Sequence, residues 1–489
     1  MATLYYNNAT GDGNWANVLA AATGYFTFSG QPSDGTTIVI GSTAFEFDSD
    51  SSTSYVAVPI GADLAESLAN LKSVIEANVA VTATIDGATF NLVANAAGAA
   101  GNLLLSCSPD VAASSSYMTG GSDGNWWTDE ACTIPATSLP TSSDSVVVTG
   151  SLSQNTSGSE PTVVDFTMSG GNWSIAITVT GTATFNGSTS AAYNYGTITG
   201  NVTFDGANAS NDYTIGEGTV VGNATFQNGA NNLSQINGNA TFLSGAGNQP
   251  YGRRITGDAT FVGAYNNGIV EGNATFSFGA YNSPYGSVQG TATFGDGGPY
   301  NAGSVQTGVF NDGSSNGHYS DNTLYGNVQG NATFNNAWNY SGVVYGNATF
   351  NGYSANGVNS SQYNLPNMRA EVNGTATFND SSKNEYWSKI GGTATFNDQS
   401  SNWASSAVYA SSSYIPAFYG PLVFNDDSYN QSPYMQDWPS PGYTITFNDN
   451  AQNRGGFYYA SSGAYQPNPP TLAFNPSRGI NGSSILGVV

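Results

Sequence analysis

Charge is scarce in this chain. Lysine, arginine, aspartate and glutamate make up 8% of its 489 residues, against roughly a quarter in ordinary soluble domains. Positive charge is scarcest: Lys72, Arg253, Arg254, Arg369, Lys383, Lys389, Arg454 and Arg478 face 32 acidic residues, giving a net charge of −24. Such a chain has little with which to neutralise a phosphate backbone, which argues against nucleic-acid binding and against docking on anionic membranes. Two cysteines, Cys107 and Cys132, cannot staple a chain this long, so a disulfide scaffold is excluded. A single bridge between them and two free thiols both stay open. His318 is the lone histidine, and neither a histidine-based triad nor a zinc site can be assembled around it. No apolar run reaches the ~18 residues that cross a bilayer, so no membrane insertion is expected. The N-terminal Met1-Ala-Thr-Leu-Tyr-Tyr lacks the basic and apolar regions of a secretory signal.

Glycine, with 61 residues, and aromatics, at 12%, are plentiful. Low charge combined with abundant Phe, Tyr, Val and Ile points to β structure with a neutral polar surface. The dominant pattern is the pentapeptide Gly222-Asn-Ala-Thr-Phe226, which recurs with its Phe at 185, 204, 226, 242, 261, 276, 294, 310, 334, 350, 378, 396, 424, 447 and, less clearly, 474. A unit of 15 to 28 residues carrying one short strand signal marks a solenoid. The expected fold is therefore mainly β: a single-stranded parallel β-helix of about 14–15 turns, preceded by a small α+β domain. Alternate residues of a strand share a face. Stacking then places Ala224 over Ala240 and Phe226 over Phe242 inside, with Thr and Asn ladders outside. Phe185, Phe204, Phe226, Phe242, Phe261, Phe276, Phe294, Phe334, Phe350, Phe378 and Phe396 form the expected core column. The Gly before each pentapeptide fits a bend that needs positive φ or close backbone approach.

Five segments are expected. Residues 1–30 read as an N-terminal attachment or cap segment, containing Gly11-Asp-Gly-Asn-Trp15. Residues 31–106 read as a ββαββ domain: a hairpin over Thr36–Ile40 and Ala44–Phe47, a helix over Ala62–Ala77 with apolar residues at helical spacing, and a second hairpin turning at Asp86-Gly87. Residues 107–150 read as a Trp/Pro-rich cap in which Asp123-Gly-Asn-Trp126 repeats the earlier string. Two accounts fit that duplication: two caps in tandem, or one cap split by an insertion between about 18 and 122. Residues 151–475 are the solenoid, and 476–489 an apolar tail.

Three groups of residues are candidates for chemistry. Asp380, Asp398, Asp426 and Asp449 each follow a Phe-Asn, and stacking brings them near one another. They read as turn residues held by local hydrogen bonds, as a Ca²⁺ ladder, or as an acid pair. Ca²⁺ is the only cofactor they suggest; otherwise none is expected. Trp387, Trp403, Tyr409, Tyr414, Tyr419, Tyr434 and Trp438 lie where the repeats lengthen. Such side chains suit carbohydrate stacking, and equally suit covering the widened end of the solenoid or a subunit interface. No cluster of acidic residues resembles an active site, so no enzymatic activity is expected.

The chain resembles virion proteins of tailed bacteriophages, of the fibre, tailspike or decoration kind. The residues that carry the resemblance are the hairpin–helix–hairpin segment Thr36–Gly101, the GNATFN-type repeats and the terminal Ile480-Asn-Gly-Ser-Ser-Ile-Leu-Gly-Val-Val489. It implies attachment to other virion proteins through the N-terminal region, outward display of the solenoid, a homo-oligomer (usually a trimer), contact with host-surface glycan, and assembly in the host cytoplasm without export. The alternatives are a bacterial cell-surface β-helical adhesin and a polysaccharide-degrading tailspike.

Overall fold

The computed structural model describes residues 2–7, 19–136, 138–149, 161–169, 177–189, 191–212, 218–249, 254–317, 326–357, 370–385, 388–403, 417–431, 434–436, 444–454, 458–460 and 471–474. The chain divides into two compact units, Met1–Gly181 and Thr182–Val489.

The second unit is a parallel β-solenoid. Three short strands make a turn, as in Thr219–Val220, Ala224–Gln227 and Asn231–Asn232, and in two turns the first two run together as Ser287–Phe294 and Ser304–Asn311. We call them the valine, phenylalanine and asparagine strands. The pentapeptide supplies only the middle one. Phenylalanine strands pair in parallel and in register, Ala224 with Ala240, Thr225 with Thr241 and Phe226 with Phe242. The asparagine strands stack into their own 14-stranded sheet. The Phe side chains from Phe185 to Phe447 form one column, with adjacent ring centroids 4.7–5.0 Å apart and nearly parallel planes. The column members from Phe204 to Phe424 are fully buried, whereas Phe278, in a corner outside the column, is exposed. Beside the column run the buried Ala of most pentapeptides (Val202, Gly308, Leu422 and Ile445 take its place elsewhere) and a Val or Ile from most valine strands.

Asparagine lies inside as well as outside. The last residue of every asparagine strand, from Asn194 to Asn453, is a buried Asn. Each Nδ2 donates to the Oδ1 of the same residue one turn on, at 2.8–3.1 Å, in one unbroken direction. A carboxamide has both a donor and an acceptor, so one residue type satisfies itself indefinitely when stacked at the strand spacing. The Asn within the pentapeptide does stay exposed. Its Oδ1 accepts a backbone N–H from the next turn, as Asn223 Oδ1 does from Asn239 N at 3.0 Å.

The Gly that opens each pentapeptide is required by crowding. Its φ is ordinary, but a Cβ on Gly238 would sit 2.2 Å from the Gly222 carbonyl oxygen, and one on Gly257 2.5 Å from that of Gly238. Gly245, in the corner after the phenylalanine strand, has φ +80 and open space around its would-be Cβ. Gly238→Ala is therefore expected to lower unfolding stability by roughly 1–3 kcal/mol through backbone displacement. Gly245→Ala is expected to cost only about 1 kcal/mol, from conformation alone. Urea melts of the two variants check the difference.

The first unit contains its own parallel ladder. Thr3–Asn7 pairs in parallel with Ser145–Thr149, which pairs in parallel with Phe166–Ser169. Trp126–Trp127 closes antiparallel on Thr3–Asn7, with Trp126 buried against Tyr6 at 5.6 Å. Between these strands sits an α+β domain whose ends meet as an antiparallel pair, Leu19–Ala20 with Ser122–Asp123. This geometry is that of an insertion, the second of the two accounts. Gly11–Trp15 lies outside the described residues.

The inserted domain is larger than residues 31–106. Helix Leu64–Asn78, N-capped by the Asp63 side chain, and the hairpins Thr37–Ile40/Thr43–Asp48 and Val81–Asp86/Thr89–Ala94 form as expected. Thr23–Phe28 and Val111–Ala113 add to the second hairpin to make one four-stranded sheet; Val56–Pro59 and Leu105–Cys107 flank the first to make another. Phe26, Phe45, Phe47, Phe90, Leu68, Leu71 and Ile75 fill the core between them. Residues 1–30 thus divide between a ladder strand and this domain, because Phe26 and Phe28 find burial only on its sheet. Cys107 is a thiol, donating to the Val111 carbonyl at 2.9 Å.

Candidate functional site

Burying one residue of each asparagine strand turns its predecessor outward. Along the sheet the residues on this outer side are Tyr193, Ser210, Asn231, Gly247, Tyr265, Tyr281, Tyr300, Ser315, Trp338, Ala355, Lys383, Ser401, Tyr429 and Gln452, of which the small Ser210, Gly247, Ser315, Ala355 and Ser401 are covered by their surroundings. The aromatic members are all partly exposed. Tyr265, Tyr281 and Tyr300 fall in consecutive turns and stack, with centroids 5.8 and 5.1 Å apart. Trp338 stacks on Tyr340 of its own turn at 5.7 Å. Rings stacked along the axis show solvent their carbon edges and polar tips. The result is an amphipathic stripe with one ring per turn from Tyr265 to Tyr300, resumed at Trp338 after Ser315.

Toward the C-terminus the same face carries cations over rings. Lys383 lies 5.0 Å from the Trp403 ring, and the Arg454 guanidinium 4.3 Å from that of Tyr429. On the valine strands, a different sheet, Lys389 lies 5.3 Å from Tyr419 and pairs with Glu371. Trp403 and Tyr419 are thus partly exposed aromatics already engaged by lysines. Tyr434 lies in the strand Tyr434–Gln436. Trp387, Tyr409, Tyr414 and Trp438 lie outside the described residues, as does His318.

Glu385 follows the buried Asn384 and is itself 6% exposed. Burial pushes its carboxyl up to about 7, opposed by the nearby Lys383 ammonium. A raised acid favours folding when protonated. That stability is complete below the carboxyl's unfolded value and is lost as pH rises through about 7. Glu385→Gln is therefore expected to raise the melting temperature more at pH 8 than at pH 5, and calorimetry at the two pH values tests this.

Asp380, Asp398, Asp426 and Asp449 are exposed corner residues with φ of 55 to 57. Asp tolerates this left-handed conformation, which accounts for the residue type. The carboxylates accept backbone N–H groups from the preceding turn: Asp380 from Gly352 at 2.9 Å, Asp398 from Asp380 at 3.3 Å and Asp426 from Asp398 at 3.4 Å. They do not converge into a group of three acidic ligands. The Asn before each Asp forms a second amide ladder, and there Nδ2 donates to the preceding turn, as Asn397 does to Asn379 at 2.9 Å.

Among the described residues, one cluster of three carboxylates gathers within 4.8 Å, Asp34, Asp48 and Asp50 of the inserted domain. Asp48 accepts N–H groups from Asp50, Ser51 and Thr53, and Asp34 accepts from Ser49. The loop thus stabilises these carboxylates itself, and backbone hydrogen bonds hold Asp48 below the usual carboxylate range.

The Tyr265–Tyr340 stripe was not singled out by sequence reasoning. The available signal was the dipeptide Tyr-Asn, at 265, 281 and 300, each occurring between two Phe of the repeat. No protein family, curated protein or solved structure matches this chain.

Proposed function

We propose that this chain is a non-enzymatic structural protein of a tailed-phage particle, a fibre, spike or decoration protein, whose solenoid holds the aromatic face of its 14-stranded sheet against host-surface glycan. The observation that carries the adhesive part is the outward row Tyr265, Tyr281, Tyr300 and Trp338. From Tyr265 to Tyr300 one ring falls in each turn, with centroids 5.8 and 5.1 Å apart, commensurate with the sugar-to-sugar repeat of an extended glycan; Trp338 follows one turn beyond Ser315. Tyrosine edges offer apolar surface for sugar C–H groups and hydroxyls for hydrogen bonds. The phage part rests on the sequence resemblance, and with it go homotrimeric assembly, attachment through the N-terminal region and virion localisation.

The test pairs adhesion with particle identity. Parent and Tyr281→Ser/Tyr300→Ser proteins are titrated against purified host-surface polysaccharide. The double variant should bind at least about tenfold more weakly at unchanged melting temperature; equal binding sinks the adhesive reading. Antibody labelling of purified virions should decorate particles, and absence from every particle would leave the bacterial adhesin. Shortening of the polysaccharide during incubation would establish the tailspike enzyme instead. Native mass measurement reads the oligomeric state.

A further inference from the structure

The aromatic stripe is interrupted near its N-terminal end, and the interruption is built. Between Tyr193 and Tyr265 the outward positions are Ser210, Asn231 and Gly247, all small or polar. The surface falls into a hollow of about 190 Å³, lined by Tyr193, Ser210, Asp212, Asn231, Leu233 and Gln249 among others. Its walls are positioned by specific contacts. Tyr265 leans over Gly247, where a Cβ would lie 2.2 Å from the ring. Gln249 Nε2 donates to the Tyr265 hydroxyl at 2.5 Å and to Asn231 Oδ1 at 2.7 Å. At the opposite side, Tyr193 packs edge-on against Tyr195 at 5.9 Å.

We infer that this hollow is a binding site for one neutral sugar residue, the specificity subsite of the glycan-binding face; the inference rests on the adhesive reading above. The lining matches that chemistry and disfavours others. Tyr193 and Leu233 present apolar surface for the C–H face of a pyranose. The Gln249 Oε1 offers an acceptor and the second Asn231 Nδ2 proton a donor to hydroxyl or N-acetyl groups. Asp212, 5% exposed, has its Oδ2 3.4 Å from Ser210 Oγ. A carboxylate buried beneath the hollow repels sialic or uronic acids, as does a chain with net charge −24. The volume suits one six-membered ring. Neighbouring sugars of the same chain would continue along Tyr265, Tyr281 and Tyr300.

The experiment uses the full-length chain on a printed array of neutral oligosaccharides (glucose, galactose, mannose and N-acetylglucosamine oligomers) beside sialylated and uronate oligomers. The strongest neutral ligand is then titrated by calorimetry. Neutral glycans should bind and acidic ones should not. Tyr193→Ala should weaken binding about tenfold. Ala207→Trp, at an exposed position on the rim, should fill the hollow and weaken binding at least as much without touching the core. Should Tyr193→Ala fail to fold, Ala207→Trp alone decides. Binding untouched by Ala207→Trp but lost in Tyr281→Ser/Tyr300→Ser would overturn the subsite and leave the aromatic face standing. Binding lost in Ala207→Trp but kept in the double variant would uphold the hollow and remove the stripe. Recognition confined to acidic oligomers would overturn the inference, and no binding to any neutral glycan would overturn both readings.

Discussion

Phe276→Ala is expected to lower the stability of the solenoid by about 3–5 kcal/mol. Phe276 is fully buried and stacks on Phe261 at 4.8 Å and on Phe294 at 4.7 Å. Truncation removes the ring's transfer free energy and leaves a void that the flanking turns cannot close. Their spacing is fixed by backbone pairing of Ala259–Val262 with Ala274–Ser277, and of Ala274–Phe276 with Ala292–Phe294. In a repeat stack each turn contacts chiefly its neighbours, so the loss should appear locally. Hydrogen exchange should accelerate in the turns of Phe261, Phe276 and Phe294 while the amides around Phe204 and Phe396 keep their protection. Phe276→Leu should recover part of the stability. Uniform acceleration throughout the solenoid would show that turns do not behave as nearest-neighbour units.

The second large effect is expected at the buried amide ladder. Asn282 accepts from Asn266 at 2.8 Å and donates to Asn301 at 2.9 Å, and none of the three side chains reaches solvent. Asn282→Leu would strand the Asn266 donor and the Asn301 acceptor. Each buried unsatisfied group costs about 1–3 kcal/mol, so a loss of roughly 2–6 kcal/mol is expected. Asn282→Asp keeps the shape and is more informative. Its carboxylate would accept from Asn266 but would meet the Asn301 oxygen with no proton to offer. Burial and that encounter raise its folded pKa, so its folded state binds the proton more tightly than the unfolded state does. The variant should therefore be most stable below pH 4 and lose stability as pH rises through the raised value. Asn237→Asp, at an exposed site, should change little at any pH. Melting curves from pH 3 to 8 separate the two.

What the sequence disclosed follows from period. A Phe recurring every 15 to 28 residues beside an alternating Ala marks the phenylalanine strand without further help, and Leu64, Leu68, Leu71 and Ile75 mark the helix Leu64–Asn78. The asparagine strands carry no such signal. Many are two residues long, too short for an alternation to show. Asn also fills turns and outer ladders, so composition alone does not separate Asn266, buried, from Asn223, exposed. The aromatic face was hidden for the same reason, because Tyr265 is outward only by virtue of Asn266 being inward. Aromatic residues attracted notice instead in the long C-terminal loops, where composition shifts most. The strand Thr3–Asn7 was obscured by distance, since its parallel partner begins at Ser145, beyond the inserted domain.

A structure of the full-length chain with its strongest neutral oligosaccharide bound would test the account most directly. The account predicts sugar on the outer face of the 14-stranded sheet, with one ring in the hollow beside Tyr193 and Asn231 and the next residues running over Tyr265, Tyr281 and Tyr300. Sugar seated instead along the phenylalanine strands, or at the corner carboxylates of Asp380, Asp398 and Asp426, would contradict it.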